Sequence, residues 1–238
     1  MLIVTSKEMR ALDDYAINDL GIGGLALMEK AGRGVADVLL KNAQGEENRK
    51  ILVVCGKGNN GGDGFVAARY LSHAKKNVKV VLLSEPVELK GDALFNYEKL
   101  RELPVDIYKA TSAGDLEFLR NLAAGSGVII DAIFGTGLAE GVHGFPADVI
   151  GVLNESSCKK VAVDIPSGVV ADSGEIPGVA FRADVTVTFA SAKVGHFVYP
   201  GAEHTGKIFV VDIGIPADAP QYPLVKRSAL EKSYGKAL

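Results

Sequence analysis

The chain has 238 residues, 47% hydrophobic and 23% charged, with 26 basic and 29 acidic side chains and a formal net charge of −3. That length supports one large domain or two small ones with a sizeable core, and the abundance of Leu, Val, Ile and Ala excludes disorder. Mixed charge and a pI near 5.9 exclude the basic footprint of a nucleic-acid partner. A small anionic ligand stays open, because backbone amides hold phosphate without net positive charge.

The chain begins MLIVTSKEMRALDDYAI, without a basic segment ahead of a long apolar core, so no signal peptide is expected. No run approaches the ~18 apolar residues of a membrane helix, so no membrane partner is expected either. Residues 6–41 read as two helices broken at 21–24, the first capped at Ser6 and amphipathic through Met9, Leu12 and Ala16. A polar linker follows at 44–50. Short β-branched apolar runs at 51–55, 78–83, 128–133, 161–165, 185–189 and 208–213 then read as strands buried on both faces. Helical spacing predicts helices over 62–73, 95–101, 113–122 and 147–155. Such alternation implies an α/β fold: a Rossmann-like three-layer domain over residues 1–220, with a mostly parallel central sheet and N-terminal helices. From Gln221 the periodicity is lost, and 221–238 reads as a tail or linker. Cys55 and Cys158 lie far apart without CxxC spacing, which argues against a disulfide framework or thiolate metal site; with no targeting segment read, a reducing, cytoplasmic compartment is expected.

Glycine, at 28 residues, exceeds its usual ~7% share, and the excess is clustered in loops. The first loop, Gly56-Lys57-Gly58-Asn59-Asn60-Gly61-Gly62-Asp63-Gly64, follows a strand and opens a helix. Gly56-x-Gly58-x-x-Gly61 satisfies the dinucleotide fingerprint in the expected context, where a backbone approaches a pyrophosphate at a helix N-terminus. Asp63 would repel that pyrophosphate unless it caps the helix or shares a cation. A purely structural alternative has Asp63 as an N-cap and Asn59 and Asn60 as left-handed turn formers. Glu85 could hold a ribose, although its 29-residue spacing from Gly56 exceeds the usual ~20.

A second loop, Asp131-Ala132-Ile133-Phe134-Gly135-Thr136-Gly137-Leu138, continues to Gly141 and Gly144, and a third is Asp164-Ile165-Pro166-Ser167-Gly168. Both leave the carboxyl edge of the sheet, so three polar loops converge on one cleft. Partial burial would raise the pKa of Asp131 and Asp164 and suit one to acid–base work. Asp131, Asn60 and Ser167 are hard oxygen donors able to hold an alkali or alkaline-earth cation. Either Asp could instead only cap the turn that follows it. Lys193, past another strand end, is a proton donor, a phosphate neutraliser or a solvated lysine. His73, His143, His196 and His204 share no ligand spacing, and only His196 falls near the cleft.

The block VVCGKGNNGGDGFVAARYL at 53–71 resembles the NAD(P)H-hydrate epimerase family, the YjeF N-terminal domains. The similarity continues, in the family's order, through Met9-Arg10-x-Leu12-Asp13, Leu27–Gly32, 131–137, 164–168 and 188–195, covering roughly residues 5–215. One departure is Gly23-Gly24-Leu25, where many members carry a Pro-containing turn. The resemblance implies a dimeric, Rossmann-like isomerase that equilibrates the R and S epimers of hydrated NADH and NADPH (NADHX and NADPHX), feeding a separate dehydratase. It also implies that Asn59, Asn60, Gly61, Gly62 and Asp63 bind substrate. Gly135, Thr136, Gly137, Leu138, Ala139, Glu140 and Gly141 would hold its phosphates, and Asp164 would sit at the nicotinamide-derived ring. Asn60, Asp131 and Ser167 would contact one potassium ion per subunit.

The chemistry fits that implication. A hydroxyl on C6 beside N1 leaves once protonated, and water returns from either face, so inversion needs an acid–base carboxylate and little else. Asp164 is the candidate, with Lys193 as helper; reversible ring opening at C6–N1 is an equally allowed route. Two other function classes remain open: an NAD-dependent oxidoreductase and a non-catalytic scaffold of the same fold. The segment Glu231-Lys232-Ser233-Tyr234-Gly235-Lys236 is similar to the entry of the dehydratase domain fused to this epimerase in many microbes.

Overall fold

The computed structural model describes residues 2–42, 50–138, 140–216 and 219. The expected linker, apart from Lys50, and the tail from 221 with its dehydratase-like segment lie outside the described residues.

A short strand β1 (Ile3–Val4) leads into α1 (Ser6–Asn18), and α2 (Gly24–Asn42) follows the expected glycine break. The cap is one residue earlier than expected. Thr5 is the N-cap and forms a capping box with Glu8, while Ser6 is already helical and bonds Asp172 instead. Strands and helices then alternate as β2 (Ile51–Cys55), α3 (Asn59–His73), β3 (Val78–Leu82), α4 (Gly91–Arg101) and β4 (Asp106–Lys109). They continue as α5 (Leu116–Ala124), β5 (Val128–Ala132), α6 (Phe145–Glu155), β6 (Lys159–Val163) and β7 (Val185–Phe189). The described chain finishes through β8 (Ala192–Lys193), α7 (Ala202–Thr205) and β9 (Lys207–Val211).

Seven strands form one sheet in the order β4-β3-β2-β5-β6-β7-β9, and every neighbouring pair is parallel. Successive side chains of a strand point to opposite faces, and the core divides accordingly. Val53, Cys55, Ile130 and Ala132 pack with Phe65 and Leu71 of α3 and with residues of α1, α2 and α4. Leu52, Val54, Ile129 and Ala162 pack on the other face with Leu119 of α5 and Ile150 and Leu153 of α6. Three layers result, as the alternation predicts.

The differences from expectation are local. Strand β4 was not expected because Asp-Ile-Tyr-Lys is a short, half-exposed edge without an apolar run. The segment 113–122 divides into a 3₁₀ turn, Ala113–Asp115, and α5. Helix α3 starts at Asn59, not 62, so Asn59 and Asn60 are helical residues and not left-handed turn formers. Its N-cap is Gly58, which excludes Asp63 from that role. Among the described residues, no helix is long and apolar enough to cross a membrane.

Candidate active site

The order of the strands dictates where a ligand site belongs. From β2 the chain runs outward to β3 and β4, then crosses back to β5 on the other side of β2. Loops leaving β2 and β5 therefore diverge and open a crevice at the carboxyl ends. A cleft of about 740 Å³ sits there, lined by Lys57, Gly58, Asn59, Asn60 and Asp63 after β2 and by 133–138 after β5. Asp164, Phe189 and Lys193 line it from the next strands, and Met9, Arg10, Asp13 and Ile17 of α1 form another wall. That volume lies within the range of small-molecule sites.

The glycines of the first loop divide into two kinds. A Cβ on Gly61 would lie 1.9 Å from the Gly56 carbonyl oxygen, and one on Gly56 2.2 Å from that of Ile133. These two let the α3 N-terminus descend onto the sheet edge, and Gly62 likewise lies against Met28. Neither Gly61 nor Gly62 lines the cleft. Gly58 and Gly137 have open space where a side chain would stand, and both do line it. Close approach of backbone to a ligand is available at those two positions.

Asp131 lies within β5, not beyond its end, and is completely buried. Its register partners, Val54 and Ala162, belong to the α5–α6 face of the core. The loop after β6 reaches back to satisfy it. The Ser167 amide donates to Oδ2 at 2.8 Å, and the Ser167 hydroxyl and Ile133 amide donate to Oδ1 at 2.7 and 3.1 Å. The Phe134 amide donates in turn to the Ser167 hydroxyl at 2.8 Å, which ties together the loops after β5 and β6. Burial pushes the Asp131 carboxyl up to about 6, against these donors. Beside this network the amide group of Asn60 is buried with neither its oxygen nor its nitrogen hydrogen-bonded. Gly135 stands so close that a Cβ there would lie 3.2 Å from the Asn60 oxygen. An unpaired buried amide is costly, so Asn60, with Asp131 and Ser167 near the same loop, forms a set of hard oxygen donors that fits a cation.

Asp164 follows β6 with a φ of +65°, a left-handed conformation that a non-glycine residue rarely adopts. The kink turns its side chain into the cleft while its amide still bonds the Val187 carbonyl at 2.8 Å. Lys193, 1% exposed, donates from Nζ to Asp164 Oδ1 at 2.5 Å, to Thr188 Oγ1 at 2.7 Å and to the Phe189 carbonyl at 3.2 Å. The Thr188 hydroxyl adds a bond to the same Oδ1 at 3.0 Å. Burial works to raise the Asp164 pKa, but the Lys193 ammonium and these hydrogen bonds hold it below the usual carboxylate range. Partial burial therefore has the expected effect on Asp131 and not on Asp164, because only Asp164 has a cation at contact distance. His196 supports the corner from behind. Its Nδ1 accepts from the Lys193 amide at 3.1 Å, so the ring proton is on Nε2, 3.0 Å from the Asp164 carbonyl. Burial, aided by the Lys193 charge, lowers its pKa to about 3 and keeps it neutral.

Two more carboxyl groups face the same cleft. Burial pushes Asp63 well above the usual carboxylate range, with Asp164 and Asp13 acting the same way and Lys193 opposing. Asp13 of α1 is raised to about 6, again mainly by burial. Among the described residues neither carboxyl makes a hydrogen bond or ion pair. Sequence reasoning assigned no role to Asp13; the available signal was its four-residue spacing from Met9 and Ile17, which puts the three on one side of the helix, the side that lines the cleft.

Other expected residues stand apart. Gly135, Thr136, Gly137 and Leu138 line the cleft, whereas Glu140 and Gly141 do not, and Gly141 packs against the Pro177 carbonyl. Ala139 lies outside the described residues. Glu85, which could have held a ribose, does not line the cleft and pairs at the surface with Lys109 at 2.8 Å.

Residues 24–195 match the family described as YjeF-related protein N-terminus. The chain is 42% identical over 217 residues to the bifunctional NAD(P)H-hydrate repair enzyme Nnr of Moorella thermoacetica, covering 91% of this chain and 41% of that protein. It is 36% identical over 218 residues to the NAD(P)H-hydrate epimerase of Rhodopirellula baltica, covering 90% of this chain and 85% of that one. The crystal structure of yeast YNL200c superposes with a TM-score of 0.72 at 25% identity, covering 88% of this chain and 87% of that one. The chain thus spans about two-fifths of the bifunctional relative and most of the epimerase. By the family match and by these relatives, the chain belongs to the YjeF-related N-terminal family.

Proposed function

We propose that this chain is an NAD(P)H-hydrate epimerase, an isomerase that interconverts the R and S epimers of NADHX and NADPHX. The observation that carries this reading is the Asp164–Lys193 ion pair in a cleft at the topological switch point, in a chain of this family. A lysine-held carboxylate opposes the positive charge that develops at C6 and N1 when the hydroxyl leaves. Asp164 is then the anionic member of the acid–base machinery and Lys193 the group that keeps it ionised. Asn59, Asn60, Asp63 and the Gly135–Leu138 backbone contact the nucleotide, with the open positions at Gly58 and Gly137 facing its phosphates.

Asn60, Asp131 and Ser167 are the protein's share of a site for one potassium ion per subunit. In support, the Asn60 oxygen is buried without a partner and Asp131 Oδ2 accepts a single hydrogen bond. When bound, the ion supplies fixed positive charge beside the phosphate-contacting loop. Potassium chloride should raise the melting temperature over choline chloride at equal ionic strength, and Asn60→Ala should remove that difference. The reading extends to a cytoplasmic homodimer that works with an NAD(P)H-hydrate dehydratase, fused or separate; the bifunctional relatives support that pairing.

The test is incubation of the chain with the R epimer of NADHX and chromatographic separation of the epimers over time. Conversion above the spontaneous rate, lost in Asp164→Asn, is expected. A folded chain that leaves the spontaneous rate unchanged would instead be a binding scaffold of the same fold.

A further inference from the structure

Departure of the C6 hydroxyl as water requires a proton, and the Asp164 corner has none to give. Asp164 is ionised, and its Oδ1 already accepts bonds from Lys193 and Thr188. All three donor directions of the Lys193 ammonium are engaged, by Asp164, Thr188 and the Phe189 carbonyl. The donor must come from another wall.

We propose that Asp13, held over the cleft by α1, is the catalytic acid that protonates the departing hydroxyl, working opposite the Asp164–Lys193 pair. The assignment rests on the epimerase reading given above. Three structural features place it. Met9, Asp13 and Ile17, spaced by four residues, share the face of α1 that lines the cleft, and no hydrogen bond or ion pair occupies the Asp13 carboxyl among the described residues. The helix is anchored to the catalytic corner itself. Strand β1 pairs with β8 in a register that sets Val4 beside Lys193, and α1 begins two residues later. Its first turn is then fixed by two independent clamps, the Thr5–Glu8 capping box and the pair of bonds from Ser6 to Asp172. Seven residues on from Ser6, at ~1.5 Å rise per residue, Asp13 stands about two turns along a rigid arm that starts beside Lys193.

The charged groups facing Asp13 are Lys193, Asp164 and Asp14, with Asp63 across the cleft on α3. Burial together with the two carboxylates outweighs Lys193 and leaves Asp13 exchanging its proton at about pH 6. Asp63 is held protonated too firmly for that and serves as a neutral hydrogen-bond donor to substrate. In the step itself, the Asp13 proton passes to the C6 hydroxyl oxygen and the C–O pair leaves with water. The N1 lone pair forms the N1=C6 double bond. Water then adds to the other face of C6, the π pair returns to N1, and the proton lost by that water passes to Asp164. Solvent in the open cleft returns a proton to Asp13 and takes the one left on Asp164, which restores the starting state, and no oxidant, reductant or other reactant is consumed.

The test is the pH profile of epimerisation, corrected for the spontaneous rate. Wild-type kcat should fall as pH rises through about 6. Asp13→Asn should lower kcat by about 10²–10⁴-fold, leave KM nearly unchanged and abolish that falling limb, while Asp13→Glu should restore it. Unchanged kcat in Asp13→Asn, or a limb that persists in it, would overturn the assignment. In the unliganded wild-type chain, carbon NMR of the Asp13 carboxyl should give a midpoint near 6; a midpoint near 4 would overturn the assignment even if the asparagine variant did not fold. Wild type that leaves the spontaneous rate unchanged would overturn the epimerase reading and the assignment with it. An active wild type with an unaltered Asp13→Asn profile would overturn only the assignment.

Discussion

Asp131 and Asp164 look alike in sequence: each closes a β-branched run and precedes a loop of small residues on the same edge of the sheet. In the fold they are opposites. Asp131 is sealed in the sheet with three neutral donors and no cationic side chain at contact distance among the described residues, and burial raises its pKa. Asp164 is kinked out of its strand into the cleft, with a lysine on one oxygen, and its pKa is lowered. The first carboxylate ties two loops together, and the second presents an ionised group to the cleft. What separates them is the sign and distance of one neighbour, Lys193, contributed from a strand 29 positions later.

The largest expected effect is on activity. Asp164→Asn should keep the fold and reduce epimerisation by about 10²–10⁴-fold; near-wild-type activity would show that the two aspartates do not differ in the way their surroundings imply. Asp164→Ala is a harsher change. Both variants remove the counter-ion of the buried Lys193 ammonium, but Ala also removes the oxygen to which Lys193 and Thr188 donate, and a loss of about 3–5 kcal/mol in urea unfolding is expected. For Asp131 the order is reversed. Asp131→Ala strands the Ser167 and Ile133 amides and the Ser167 hydroxyl, so a loss of about 2–4 kcal/mol is expected. Any loss of activity in that variant should follow the disordering of the loops.

Titration sharpens the contrast. The folded chain binds the Asp131 and Asp13 protons more tightly than the unfolded chain, so stability should fall as pH rises from about 4 to about 6. Asp164 slopes the other way. Its folded pKa is depressed, so its contribution is present above about pH 4 and is lost as pH falls through the folded value. Urea midpoints measured from pH 3 to 7 in potassium-free buffer should show both slopes. Asp13→Asn should reduce the upper one, leaving the share of Asp131, and Asp164→Asn should flatten the lower. The smallest effect is expected at Glu85, where the exposed pair with Lys109 is weak. Glu85→Gln should change stability by less than about 0.5 kcal/mol and leave KM untouched; a raised KM would restore the ribose role to that residue.

Much of this molecule is legible in its sequence. The apolar runs of the six expected strands, the helices between them and the glycine break before α2 follow from periodicity and turn chemistry, which act over a few residues. The three loops of the cleft were legible for the same reason: a parallel sheet places every strand's carboxyl end on one edge. Long-range information decided the rest. The edge strand β4 and the two-residue pair β1–β8 carry no period of their own, and their partners are distant in the chain. Gly56 and Gly61 read as glycines for a pyrophosphate, yet their missing side chains are needed for backbone packed against backbone. No local pattern sets the charge state of Asp131, Asp164, Asp63 or Asp13. A carboxyl's pKa depends on burial and on which charges approach within a few ångströms, and here those charges come from α1, α3 and the ends of β6 and β8, brought together only by the folded sheet.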